Sequence, residues 1–171
     1  WGRISILALM RGEKCPSSKT VVTIGHFDTV GISDYGALAP YANQPDLLRE
    51  KLRTLELPEN VRADLESDDY LFGRGTFDMK SGDAVLIELL EELAGQISEL
   101  EGNILFGAVC DEECNSRGML RFVPELERLQ REEGLDFLAL LDTDCMTAEY
   151  EGDPNRYLYT GTVGKIMPTF Y

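Results

Sequence analysis

Apolar residues fall into two patterns along this chain: short continuous runs, and stretches in which they recur every three or four positions. The runs "ISILALM" (4–10), "VVTIG" (21–25), "NILFGAVC" (103–110) and "DFLALLD" (136–142) have strand length, and a weaker one, "RYLYTGTV", covers 156–163. Because they are continuous rather than alternating, they suit strands buried on both faces of a mostly parallel sheet. Between them, "SGDAVLIELLEELAG" sets Val85, Leu86, Leu89, Leu90 and Leu93 on one helical face and meets Gly95 as a stop. "MLRFVPELERLQREEG" predicts a second helix that ends at Gly134, with Pro124 near its start or breaking it. The alternation predicts an α/β fold, a mostly parallel mixed sheet flanked by helices.

One segment departs from the alternation. Residues 31–72 are long for a connection, acidic at "ADLESDDY", and carry one clear helical piece, "PDLLREKLRTL" after Pro45. They read as an insertion on the rim, a solvated excursion with one surface helix.

The 171 residues and 43% hydrophobic content suffice for one sizeable core. The formal charge of -15, from 16 basic and 31 acidic residues, opposes a nucleic-acid or anionic-membrane surface, since neutralising phosphate needs clustered Lys and Arg. Part of that negative charge is available for cations. No apolar run approaches the roughly 20 residues of a spanning helix, and no basic-then-apolar leader opens the chain. The four cysteines form no C-x-x-C pair and read as reduced thiols, so the expected location is cytoplasmic. A start at Trp1 and an end on the apolar "KIMPTFY" read as a piece of a longer polypeptide.

In open α/β sheets, ligands bind beyond the carboxyl ends of the strands, and this is where the titratable residues fall. His26, the single histidine, and Asp28 follow "VVTIG"; Asp111, Glu112 and Glu113 follow "NILFGAVC"; Asp142 and Asp144 follow "FLALL". Asp78 lies in the glycine-rich turn "GRGTFDMKSG" that leads into a helix. Taken singly, His26 could be a hydrogen-bonded structural residue, "DEE" a solvated turn and Asp142 a cap. Taken together they favour a metal site, because converging carboxylates raise one another's pKa unless cations relieve them. Imidazole with carboxylate oxygens suits zinc or a similar first-row ion, whereas an all-oxygen set would point to calcium or magnesium. Residues two apart on an extended chain face the same way, so Asp28 can accept the second imidazole N–H and fix its tautomer.

At these residues the sequence resembles the zinc-dependent exopeptidase and deacylase family that includes acetylornithine deacetylase, succinyl-diaminopimelate desuccinylase, aminoacylase and carboxypeptidase G. The motifs "GHFDTV", "GRGTFDMKSG" with its helix, "DEECNSRGM" and the strand-end acid of "DFLALLD" carry the resemblance, in the family's order across nearly the whole chain. The long segment after the first motif and the Asp of "LLDTD", where many relatives carry Glu, are most similar to the arginine-utilization protein branch.

The resemblance implies that residues 1–171 are the N-terminal part of a zinc-exopeptidase catalytic domain, with the rim insertion at about 31–72. It implies two zinc ions in the complete enzyme, with cobalt or manganese as alternatives. His26 and Asp142 would hold one ion, Asp78 would bridge both, and Glu113 would hold the second. Asp28 would orient His26, and Glu112 would act as the general base toward water attacking an amide carbonyl. The peptide bond between Asp78 and Met79 would be cis.

The family completes its second zinc with a later histidine, which this chain does not contain, and its smaller lid domain enters after a strand similar to "YTGTVGK". The lid and the C-terminal part of the catalytic domain would therefore be absent, and a homodimer contact through the lid with them. The function expected is a metal-dependent amidohydrolase acting on an N-acyl amino acid or short peptide, inactive as this piece alone. The alternative is a non-catalytic homologue or metal-binding interaction module.

Overall fold

The computed structural model describes residues 2–161. Four strands form one sheet: β1 (Ile6–Arg11), β2 (Lys19–His26), β3 (Asn103–Val109) and β4 (Asp136–Asp142). Their order is β1-β3-β2-β4, with β2 parallel to both its neighbours and β1 antiparallel to β3. The sheet is thus mixed and mostly parallel, as the continuous apolar runs imply. Among the described residues four α-helices accompany it: α1 (Pro45–Leu52), α2 (Glu59–Glu66), α3 (Ser81–Ala94) and α4 (Arg117–Glu133).

The core lies on the inner strands. Val22, Ile24, Leu105 and Val109 pack with Phe122 of α4 on one face, while Phe106 and Ala108 meet Leu86 of α3 on the other. The ring of Phe122 occupies the space a side chain at residue 107 would take, so Gly107 lets α4 approach β3 closely. Burial on both faces holds for β2 and β3 but not for β4, whose Leu138, Leu140 and Leu141 are exposed. The reason is position: β4 is an edge strand among the described residues, and a run of apolar residues does not reveal which strand is central.

Pro124 neither starts nor breaks α4, which continues for 17 residues. An interior proline costs about 3 kcal/mol through its missing N–H and its ring. Packing of Phe122, Leu126 and Leu129 against the sheet offsets that cost. The segment 31–72 is also more ordered than its composition suggests. It holds a 3-10 segment over Ser33–Tyr41 and two helices, the second built from acidic residues that the sequence pattern assigns to a solvated stretch. Buried Ala42, Leu48 and Leu65 give the segment apolar anchors, and Arg49 donates from both Nε (3.1 Å) and Nη2 (2.6 Å) to the Leu65 carbonyl, tying α1 to α2. Of the weak run at 156–163, residues 156–161 form no strand, and the remainder, with most of "YTGTVGK" and all of "KIMPTFY", lies outside the described residues.

Candidate functional site

Parallel pairing brings the carboxyl ends of β2, β3 and β4 to one edge. His26 is the last residue of β2 and stands beside Val109, while Asp142 ends β4 and pairs two positions earlier, with Ile24. The third wall is the irregular turn Thr76–Lys80 that precedes α3. Gly75 starts it with φ 77°, a conformation that favours glycine. Gly82 lets the start of α3 pack against the backbone of Thr143, just after β4. The peptide bond between Asp78 and Met79 is cis. Two contacts hold this turn over β2: the His26 N–H donates to Met79 Sδ (3.0 Å), and Lys80 Nζ donates to the Phe27 carbonyl (2.8 Å).

His26 is 2% exposed. Its Nδ1 lies 3.1 Å from the backbone carbonyl of Asp28, and because a carbonyl only accepts, Nδ1 carries the proton there. The Asp28 carboxylate is farther, at 3.7 Å. Asp28 therefore contacts His26 chiefly through its main chain. A neutral ring then turns an Nε2 lone pair toward three carboxylates: Asp78 at 3.1 Å, Glu112 at 3.8 Å and Asp144 at 4.0 Å. A lone pair facing anions at this range needs a cation between them, either a proton or a metal ion. His26, Asp78 and Asp144 each offer a donor atom, all within 4.8 Å of one another. Two donors at zinc-bond lengths of about 2 Å lie about 3 Å apart around one ion, which the His26–Asp78 separation matches. The residues present fit a divalent ion.

The electrostatics agree. Burial opposes the His26 imidazolium, but the carboxylates of Glu112, Asp144 and Asp28 outweigh it and raise its pKa. Burial raises the pKa of Glu112, with Asp144, Glu113 and Asp28 adding to it against the opposing charge of His26. Burial and then Asp144 raise Asp142. Partial desolvation, followed by Asp78 and Asp144, pushes the Cys145 thiol up to about 11.

Glu112 and Glu113 diverge. Glu112 lines a cavity of about 240 Å³ with His26, Met79, Asp142 and Asp144. Glu113 lines a separate cleft of about 1020 Å³ with Phe27, Asp28 and Thr29. Asp28 spans the two, because its Oδ1 accepts the Glu112 N–H (3.1 Å) and its Oδ2 the Glu113 N–H (3.2 Å). Asp111 turns away, buried and paired with Arg3 at 2.6 Å. After β4, Asp144 rather than Asp142 joins the three-donor group, and its N–H donates to Asp142 Oδ1 at 3.3 Å. The i, i+2 spacing of these two acids was the available signal. Asp83 was invisible as a site neighbour: it is buried beneath Gly25, where burial raises its pKa.

Comparison with known proteins identifies the family. The model of peptidase family M20/M25/M40 matches residues 23–151, which contain every residue of the site. Protein RocB of Bacillus subtilis is 41% identical over 169 residues, covering 99% of this chain and 30% of RocB. The uncharacterized protein YqjN of the same organism is 41% identical over 172 residues, covering 99% of this chain and 31% of YqjN. The chain therefore spans about 30% of the length of the curated relatives it matches. No solved structure matches it. A family match over most of the chain, on the segments that bring His26, Asp78 and the strand-end acids together, establishes that this chain belongs to peptidase family M20/M25/M40.

Proposed function

We propose that the complete protein is a zinc-dependent amidohydrolase that cleaves the amide bond of an N-acyl amino acid or short peptide. The observation that carries this reading is the buried His26 Nε2 set 3.1 Å from Asp78 and 3.8 Å from Glu112. His26, Asp78 and an acid from the end of β4, Asp142 or Asp144, would hold one ion. By the family resemblance Asp78 and Glu113 would belong to the second, completed by a histidine from the rest of the polypeptide, although Glu113 here lines the neighbouring cleft beside Asp28. When bound, zinc supplies Lewis acidity that polarises an amide carbonyl and makes water a nucleophile near neutral pH; cobalt or manganese could substitute.

The chain's own residues supply the proton chemistry. Glu112, with its raised pKa, takes a proton from the attacking water at a carboxylate oxygen and delivers it to the leaving amine nitrogen. The buried imidazole of His26 is kept in one tautomer by the Asp28 carbonyl. By itself the 171-residue chain should not turn over substrate, since its single histidine serves one metal. A cytoplasmic location belongs to the same proposal, supported by four cysteines that form no disulfide, as does a dimer formed through a lid domain. No helix among the described residues is long and apolar enough to cross a membrane.

The test is a panel of N-acetyl and N-succinyl amino acids and dipeptides offered to the full-length protein, before and after chelation and with Zn, Co or Mn restored. Metal-dependent release of a free amine supports the proposal. A protein that binds metal stoichiometrically but cleaves none of the panel is instead a binding module.

A further inference from the structure

Asp28 stands two residues beyond His26, yet its carboxylate is not directed at the ring. Both of its oxygens are engaged elsewhere, on the consecutive main-chain N–H groups of Glu112 and Glu113. We infer that Asp28 is a positioning residue for the proton-transferring glutamate: its carboxylate clamps the backbone after β3 and thereby sends the Glu112 and Glu113 side chains to opposite sides. The inference rests on the reading of Glu112 as the base.

Three observations support the clamp. The turn after β3 is closed farther on, where Asn115 and Ser116 donate to the Asp111 carbonyl at 3.3 Å and 2.6 Å, so Asp28 is the acceptor for the two amides between. Asp111 sits at φ 66°, a left-handed conformation uncommon outside glycine, so the chain leaves β3 by a sharp local reversal whose next two N–H groups both meet Asp28. Two bonds from consecutive N–H groups to the two oxygens of one carboxylate, at 3.1 Å and 3.2 Å, fix both peptide planes at once. The separation of the two glutamates into different cavities is the visible consequence. The strand that carries the buried imidazole thus also sets where the carboxylate beside it stands, with no contact between Asp28 and the Glu112 side chain required.

The test uses the full-length, metal-loaded protein and three variants. Asp28→Asn keeps the shape but presents an NH₂ to one of the two amides, Asp28→Ala removes both acceptors, and Asp28→Glu restores both on a longer stem. Amide hydrogen exchange at Glu112 and Glu113 should rise about tenfold or more in the Asn and Ala variants and recover partly in the Glu variant. In parallel, kcat should fall roughly 10-fold for Asn and roughly 100-fold for Ala, the scale expected of a displacement near 1 Å, with KM and bound metal unchanged. Exchange needs no turnover, so it decides the clamp even if the proposed hydrolysis fails. Unchanged protection at both amides overturns the inference. So does faster exchange with normal kcat, or loss of metal in step with activity, which would place the effect on His26 instead.

Discussion

Strands β2 and β4 lie side by side, run parallel and end at the same edge, yet they deliver their site residues in different ways. On β2 nearly every residue is buried, and His26 is held through its N–H by Met79 and through its ring by the Asp28 carbonyl. On β4 most residues are exposed, and the acids beyond it are held by local bonds: Asp144 N–H to Asp142, and Cys145 N–H to the Asp144 carboxylate at 2.6 Å. One wall of the site is therefore built into the core, and the other is set by a short loop at an open edge. A buried imidazole keeps its direction whatever occupies the site, whereas an exposed carboxylate can turn toward an ion at little cost.

The largest effects should follow from breaking the end of β2 or the Thr76–Lys80 turn packed over it. Substitution His26→Ala or Asp78→Asn should lower metal affinity by more than roughly 100-fold, beyond what disturbance of outer partners costs, as measured by titration of the chelated full-length protein with zinc. Affinity within a few-fold of the unmodified protein would mean that the metal is not held by His26 and Asp78. Next comes Glu112→Gln, which should keep both metals while turnover falls by roughly 10² or more. Bound zinc and turnover measured on one preparation separate the base from the ligands, and a Gln variant that loses metal as readily as Asp78→Asn would collapse the distinction.

The outer wall should respond less. Asp142→Asn and Asp144→Asn should each weaken metal binding by about tenfold, with the larger loss at whichever acid turns to the ion. Equal and negligible losses would show that β4 supplies no ligand.

The smallest effect is a pH dependence of the metal-free protein. The folded-state pKa of His26 is raised above 6.5, so its contribution to stability is complete below 6.5 and is lost as pH rises through the folded value. Glu112, Asp142 and Asp83 are raised above 4.5, 3.8 and 3.8, so they too favour the folded state when protonated and lose that contribution as pH rises. All four act with one sign. Surface acids with lowered pKa, such as Asp34 and Glu125, act the other way, but they lose their contribution only as pH falls below their unfolded values of 3.8 and 4.5 and through their folded ones. Thermal scans of the chelated protein should therefore show the melting temperature falling from pH 5 toward values above 6.5, and added zinc should flatten the trend. A chelated protein that gains stability across that interval would contradict the burial of these acids and the pairing of His26 with the carboxylates around it.

Much of this was legible along the chain because the signals are local. Continuous apolar runs mark strands, helical spacing marks α3 and α4, and the residues just after each run are those a parallel sheet gathers at one edge. His26, Asp78, Glu112 and the β4 acids could be nominated on that ground, and the family motifs sharpened the nomination. The helix over Glu59–Glu66 was hidden because its composition is that of a solvated stretch, and its order comes from Leu65 packing and from Arg49, a partner 16 residues away. Pro124 misled for the converse reason, since a local penalty was outweighed by burial of a face.

By itself, then, the sequence determined the fold class, the family and the roster of chemical groups, since each is written in residue type and spacing. The tertiary structure alone decided that β4 is an edge, that Asp144 rather than Asp142 lies within reach of His26, and that the Asp28 carboxylate holds the Glu112–Glu113 backbone while its carbonyl holds the imidazole. Those outcomes depend on which atoms meet across 84 residues of intervening chain, and hydrogen-bond partners fall off within an ångström. Spacing along a strand says which face a side chain takes, but not what waits there.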